Sequence, residues 1–213
     1  MSIQKAVGTL TRKKIEPSDD DATGVWLSLQ EVAWEKDIEQ LRKDGKITRA
    51  QRNRLLNGGN FATALIHGSR KKENREVPFS DMIFASSRIS YPSQHQLINH
   101  TETSDFYEKM VYKRPGVKYY YSYIPVDTFR NITNDKPRCN DSEAKILEEI
   151  RERLINKVYE PYESLSISLY TALEPCLSCD YAIIQFLKEF PDINLTMYSK
   201  WSYNETIYPR KEK

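Results

Sequence analysis

The chain has 213 residues, of which 39% are hydrophobic and 29% are charged, and its formal net charge is +2. This length supports one full hydrophobic core plus an extension, and no apolar run approaches the roughly 20 residues that a membrane helix needs. The small net charge excludes a global basic field, so any contact with nucleic acid has to come from local patches. Three cysteines, all late in the chain, form no disulfide framework and fit a reducing compartment or a metal site.

Residues 1–57 are predicted to form a flexible N-terminus followed by a helical extension. The first 24 residues are polar and are broken by Pro17 and Gly24, and they lack the apolar core of a signal peptide. The protein is therefore expected in the cytoplasm, or exported without a signal peptide. The next stretch, VWLSLQEVAWEKDIEQLRKDGKITRAQRNRLLNGG, predicts two helices joined by KDGK. Its expected buried stripe contains Leu29, Val32, Ala33 and Leu41.

The chain becomes rich in β-formers from Asn60. The runs NFATALIHG and DMIFASSRIS predict a hairpin, and the charged segment SRKKENREVPFS between them predicts a solvated loop. Residues 88–138 show little periodicity and many tyrosines. No secondary structure is predicted for that part of the chain.

The pattern is clearest after Asp141. DSEAKILEEIRERLIN predicts an amphipathic helix, SLSISLYT a strand, CDYAIIQFLKEF a second helix, and INLTMYS another strand. A strand, helix and strand with short joints predict a right-handed crossover between parallel neighbours.

The motif EPCLSC, between the first of these strands and the second helix, allows three interpretations. A C-x-x-C pair at a helix start is typical of thioredoxin-like redox sites, although that fold places the motif near its beginning. Cys176 and Cys179 could instead be two buried thiols that fill space. As metal ligands they would need a partner elsewhere, because zinc takes four ligands and the chain has no second C-x-x-C.

The start of the preceding helix offers that partner. Glu143 shares a helical face with Leu147 and Ile150, so its carboxylate points toward the core, where it needs a polar partner. Asp141 stands two residues earlier, at a position where Asp commonly caps a helix. The combination with Glu143 and the cysteine motif favours Asp141 as a metal ligand, with Cys139 as the competing ligand.

These residues resemble the zinc-dependent cytidine deaminase superfamily, whose signature pairs x-x-E with P-C-x-x-C. The similarity is closest to bacterial toxin-type deaminases and DYW-type RNA-editing domains, and it covers about residues 58–200. The strongest segments are DSEAKILEEI and LYTALEPCLSCDYAIIQFLKEFPDINLTMY. One departure is that Asp141 occupies the position of the usual His or Cys. The resemblance implies a three-layer α/β/α domain over residues 58–213, with a mixed sheet of about five strands.

The resemblance also implies a function. Asp141, Cys176 and Cys179 are expected to bind Zn²⁺, while Glu143 moves protons during the hydrolysis of cytosine to uracil in DNA or RNA. Asn60 is expected to touch the ribose or the base. The implied partners are a nucleic acid, preferably single-stranded DNA or RNA, and an immunity protein, with no membrane.

Two other functions stay open at this stage: deamination of free nucleosides or nucleotides, and C-x-x-C redox chemistry. The segment from Tyr112 to Tyr123 interleaves tyrosines with Lys113, Arg114 and Lys118. Such a pattern suits a stacking platform for a polynucleotide, and it also suits an ordinary tyrosine-rich edge that packs on the core.

Overall fold

Five strands form one mixed sheet in the order β1-β5-β4-β2-β3 in the computed structural model of the chain. The structure describes residues 8–16, 18–57, 59–72, 75–90, 108–113, 116, 118–126, 131–134, 138–159, 162 and 164–201. The helices and strands are β1 Thr9–Lys14, α1 Ala22–Lys43, α2 Arg49–Leu56, β2 Phe61–Lys72, β3 Arg75–Ser86, α3 Ser142–Ile155, β4 Ser164–Leu173, α4 Leu177–Glu189 and β5 Asn194–Trp201.

The sheet mixes antiparallel and parallel pairs. β2 is antiparallel to both β3 and β4, whereas β4, β5 and β1 run parallel to one another. The β4–α4–β5 unit is the predicted parallel crossover, with Leu169 opposite Met197. The predicted α/β fold with a mixed sheet of about five strands is confirmed.

Helices cover both faces of the sheet, because successive side chains of a strand point to opposite sides. On one face, Leu169 of β4 belongs to the main core with residues of α3 and α4. On the other face, Tyr170 and Tyr198 pack with Leu27 of α1. The result is three layers, and the larger of the two hydrophobic cores lies between the sheet and the helices α3 and α4.

Among the first 57 residues, the part that the structure describes joins the sheet or packs against it. β1 lies at the sheet edge parallel to β5, inside the stretch that was predicted to be flexible. The predicted stripe of α1 was partly wrong, since Leu29 and Val32 are 52% and 38% exposed. The helix instead buries a set led by Trp34 and Ile38, because the larger side chains of that face fill the space against the sheet. The division at residue 57 stays a prediction.

The β2–β3 hairpin is longer than the sequence predicted. Its pairing continues to Lys72 opposite Arg75, through the charged segment that was expected to be a loop. Most side chains there are exposed, and the backbone pairing of the two strands continues beside Phe79, which stacks on Tyr159. None of the described helices is long and apolar enough to cross a bilayer.

Candidate active site

The first residues of α3 and α4 meet beside the C-terminal end of the central strand β4. Asp141 is the N-cap residue of α3 and Cys176 is the N-cap residue of α4, and neither side chain caps its helix. The Asp141 carboxylate turns toward the cysteines instead. Its Oδ2 accepts from Cys176 Sγ at 3.4 Å and from Cys179 Sγ at 3.6 Å, and the two sulfur atoms lie 3.5 Å apart. The capping role that is usual for Asp is therefore excluded for Asp141.

The three donor atoms fit a tetrahedral metal. With Zn–S near 2.3 Å and Zn–O near 2.1 Å, a tetrahedron places two sulfurs about 3.8 Å apart and a sulfur and an oxygen about 3.6 Å apart. The observed separations lie within a few tenths of an ångström of those values. Among the described residues, Asp141, Cys176 and Cys179 form the group of side chains that could hold a metal ion. Both thiols are buried, and Val126 packs against them.

Cys139, the competing ligand, is placed differently. Its sulfur lies 3.7 Å from Lys113 Nζ and does not belong to the three-donor group. The α3 start presents Asp141 to the cysteines, while Cys139 lies in the turn before it. The geometry therefore favours Asp141 over Cys139.

The environment of the thiols is unlike that of a redox C-x-x-C pair. The contact with Cys176, followed by burial, raises the pKa of the Cys179 thiol well above its usual value. Reactive redox thiols have a lowered pKa, because the thiolate is the nucleophile. A metal ion would reverse this tendency, since binding to sulfur displaces the proton.

Glu143 lies beside the three donors and is 3% exposed. Its Oε1 accepts from Asn60 Nδ2 at 3.0 Å and Thr171 Oγ1 at 2.9 Å, and its Oε2 accepts from Ser142 Oγ at 3.0 Å. Burial, and then the negative charge of Asp141, raise the pKa of Glu143 to about 7. A carboxyl group with a pKa near neutrality is suited both to accept and to donate a proton.

Asn60, just before β2, contributes an amide with two different ends. Its Nδ2 donates to Glu143 and, at 2.6 Å, to Thr171 Oγ1. This fixes the amide orientation, because a flipped amide would direct its oxygen at a carboxylate. Its Oδ1 is buried and has no hydrogen-bond partner among the described residues. That oxygen can accept a hydrogen bond from a ligand.

Arg138 and Lys145 flank the start of α3, and sequence reasoning found neither of them. Arg138 Nε lies 3.0 Å from Asp141 Oδ2 and 3.2 Å from Oδ1. Lys145 is 1% exposed, and its Nζ donates to the carbonyls of Ser86 and Ile89 at 2.8 and 2.9 Å. Burial lowers the pKa of Lys145 to about 8. Lys145 thus ties α3 to the segment after β3.

The tyrosine-rich segment divides between core and surface. Tyr121 is 3% exposed, and its hydroxyl donates to Glu189 at 2.8 Å. Tyr120 is 60% exposed, with the Arg151 guanidinium over its ring. Packing on the core therefore explains Tyr121, while Tyr120 keeps an exposed face. Arg114 lies outside the described residues.

Comparison with known proteins gives a family match that spans the residues of this site. A model of the Toxin-deaminase family, described as the BURPS668_1122 family of deaminases, matches residues 46–200. No curated protein shows significant similarity to the chain. The matched region runs from before α2 to the last residue but one of β5, and it includes the three-donor group, Glu143 and Asn60. The chain therefore belongs to the Toxin-deaminase family and is a deaminase of the toxin type.

Proposed function

We propose that the protein is a zinc-dependent hydrolytic deaminase that converts cytosine to uracil in DNA or RNA and acts as a bacterial toxin or effector. The observation that carries the proposal is the buried Glu143 carboxylate beside an Asp, Cys, Cys donor group. Membership of a toxin-type family supports the polynucleotide substrate.

Asp141, Cys176 and Cys179 would hold the zinc ion, which supplies a Lewis acid that makes water nucleophilic at neutral pH. Glu143 accepts a proton from the attacking water as the bond between oxygen and C4 of cytosine forms, and it passes that proton to ring nitrogen N3. Glu143 then takes the second proton of this water to the amino group. The bond from C4 to that nitrogen breaks, and ammonia leaves.

The hydrogen bonds of Glu143 indicate which of its oxygens carries the proton. Oε1 is occupied by two donors, Asn60 Nδ2 and Thr171 Oγ1. Oε2 is bonded to the Ser142 hydroxyl, which can accept as well as donate. Oε2 is therefore the atom that gains and loses the proton without breaking the contacts that orient the carboxylate.

Asn60 is the proposed contact to the nucleotide. Its buried Oδ1 lacks a partner among the described residues, and leaving such an acceptor unpaired costs about 1–3 kcal/mol. A hydroxyl of the sugar or the amino group of the base would supply the missing hydrogen. Because Nδ2 of the same amide holds Glu143, substrate binding and orientation of the proton carrier are linked through one side chain.

Product analysis on several substrates in parallel tests the proposal. Single-stranded DNA, single-stranded RNA, duplex DNA and free cytidine are incubated with zinc-loaded protein and with Glu143→Gln. Uracil in a polynucleotide, formed by the wild-type protein alone, is the expected result. Uridine from free cytidine with no change in any polynucleotide would replace the proposed substrate with free nucleosides. Inosine in place of uracil would change the base to adenine.

Expression in a bacterial host tests the toxin part. Induction of the wild-type chain is expected to arrest growth, and induction of Glu143→Gln is not. A toxin also requires a neutralising immunity protein in the cell that makes it. Unimpaired growth with active wild-type protein would contradict the toxin role while leaving the deaminase activity in place.

A further inference from the structure

We propose that Arg138 is a positioning residue of the metal centre, which makes Asp141 an effective third ligand by balancing its charge and fixing its carboxylate. The inference rests on the zinc site of the proposed function. It concerns a contact within this chain that is independent of the substrate.

The charge of the donor set is the first argument. Two thiolates and one carboxylate carry three negative charges against two positive charges of zinc, whereas a neutral imidazole in place of Asp141 would leave the centre neutral. The centre therefore has one negative charge in excess, in a region where both thiols are buried. An uncompensated buried charge is costly. The Arg138 guanidinium supplies one positive charge next to the additional negative ligand.

The geometry is the second argument. Arg138 Nε contacts both carboxylate oxygens of Asp141, at 3.0 and 3.2 Å. The side chains are 34% and 16% exposed, so Asp141 is the more enclosed partner. Oδ2, the nearer oxygen to Arg138, is also the oxygen that faces the sulfurs of Cys176 and Cys179. A carboxylate oxygen has lone pairs for both directions, so the contact with Arg138 leaves one available for a metal.

The missing helix cap is the third argument. An Asp at an N-cap position ordinarily rotates to accept from the backbone N–H groups of the first turn. Asp141 has the extended backbone of an N-cap residue, yet its side chain makes no such bond. Arg138 holds the carboxylate in the other orientation, toward α4. The contact with Arg138 thus directs the Asp141 carboxylate toward the two cysteines.

Zinc affinity tests the inference with a readout that is independent of catalysis. Competition with a chromophoric chelator is measured for wild-type, Arg138→Gln and Arg138→Lys. Arg42→Gln, which removes the same charge from an exposed position at the end of α1, is the matched control. Arg138→Gln is expected to weaken zinc binding about 10- to 100-fold, and Arg138→Lys less, while Arg42→Gln stays within about twofold. Circular dichroism of the metal-free proteins checks that each variant is folded.

Repeating the Arg138→Gln substitution in an Asp141→His protein distinguishes a role of Arg138 in charge balance from a general role in the stability of the fold. In Asp141→His the third ligand is neutral, so adding Arg138→Gln is expected to change zinc affinity less than about threefold. The absorption spectrum of the cobalt-loaded forms checks that the tetrahedral thiolate site is retained. If Asp141→His binds no metal, the inference is tested by the difference in zinc affinity between Arg138→Gln and Arg138→Lys.

The outcomes are distinguishable. Arg138→Gln with wild-type affinity, an equal loss in both backgrounds, or an equal loss for Gln and Lys would each overturn the inference and leave the zinc site standing. Failure of the folded wild-type protein to bind zinc would overturn the metal centre of the proposed function, and the inference with it.

Discussion

The four helices within the described part of the chain begin in two different ways. In α1, Asp21 accepts from the backbone N–H of Gly24 at 3.0 Å, and in α2, Thr48 and Gln51 form a reciprocal capping box. In α3 and α4 the N-cap residues are Asp141 and Cys176, and neither makes a cap bond. The same residue type thus caps at position 21 and turns away from the helix at position 141.

The difference shows where the chain gives up local stability for a site. A side-chain cap contributes about 1 kcal/mol, and α3 and α4 forgo it. Their N-terminal ends carry the partial positive charge of the helix dipole, which favours carboxylate and thiolate groups nearby. Helices α1 and α2 pack against the sheet, and in each of them the N-cap side chain accepts a hydrogen bond from a backbone N–H of the first turn.

The largest expected effect is a loss of activity in Glu143→Gln, which tests whether Glu143 carries protons or binds the metal. Glu143→Gln should lower kcat by about 10²- to 10⁴-fold or more, because it removes the group that moves protons, while zinc stays bound. Steady-state kinetics and metal analysis measure the two quantities. Glu152→Gln on the same helix is the matched control and should keep its activity. Loss of zinc along with activity would instead make Glu143 a ligand or a structural residue.

The next effect tests which residues at the two helix starts hold the metal. Cys179→Ser should weaken zinc binding by more than the roughly 10- to 100-fold loss that is typical when a hydrogen-bond partner of a metal ligand is removed. Cys139→Ser, the matched control, should bind zinc like the wild type, since its sulfur lies outside the three-donor group. Chelator competition measures both. Zinc loss in the Cys139 variant with retention in Asp141→Ala would reverse the ligand assignment.

A smaller effect concerns the cost of burying Glu143. Its pKa is raised from 4.5 to about 7, so the folded metal-free protein holds this proton where the unfolded chain releases it. The charged form is penalised on folding, and the penalty grows as pH rises from about 4.5 to 7 and is constant above. Glu143→Gln should therefore stabilise the metal-free protein at pH 8 by on the order of 2 kcal/mol and change it little near pH 4. Urea unfolding with chelator at both pH values measures this, and an equal effect at both would contradict it.

The smallest effect compares two N-caps directly. Thr48→Ala should lower the free energy of unfolding by about 1 kcal/mol, because it removes the hydroxyl that accepts from the backbone N–H of Gln51 in the α2 capping box. Asp141→Ala should cost the metal-free protein less, since no cap bond is lost and the loss of the partly exposed ion pair with Arg138 is offset by relief of the repulsion of Glu143. Denaturant titration of the metal-free variants provides the numbers. A larger loss for Asp141→Ala would mean that the α3 start is a structural element in its own right.

Part of the site was predictable from the sequence because its geometry is local. The positions of Glu143, Leu147 and Ile150 on one helical face determine that Glu143 points inward. The spacing of Cys176 and Cys179 determines that both thiols lie at the start of α4, with Cys176 at the N-cap and Cys179 in the first turn. The strand, helix and strand around them allow little else than a parallel crossover. These features depend on neighbours within a few residues, and the periodicity of the sequence records them.

The tertiary structure decided everything that depends on distant partners. Asn60 and Thr171 meet at Glu143 only because β2 and β4 are adjacent in the sheet. The position of β1 beside β5 could not be seen in a short polar segment, since pairing with an existing edge needs backbone groups and no side-chain pattern. The turn of Asp141 away from its own helix is of the same kind. Its residue type alone predicts a cap, the cysteine motif favours a ligand, and the contacts with Arg138 and the two cysteines show that the carboxylate turns toward the candidate metal site.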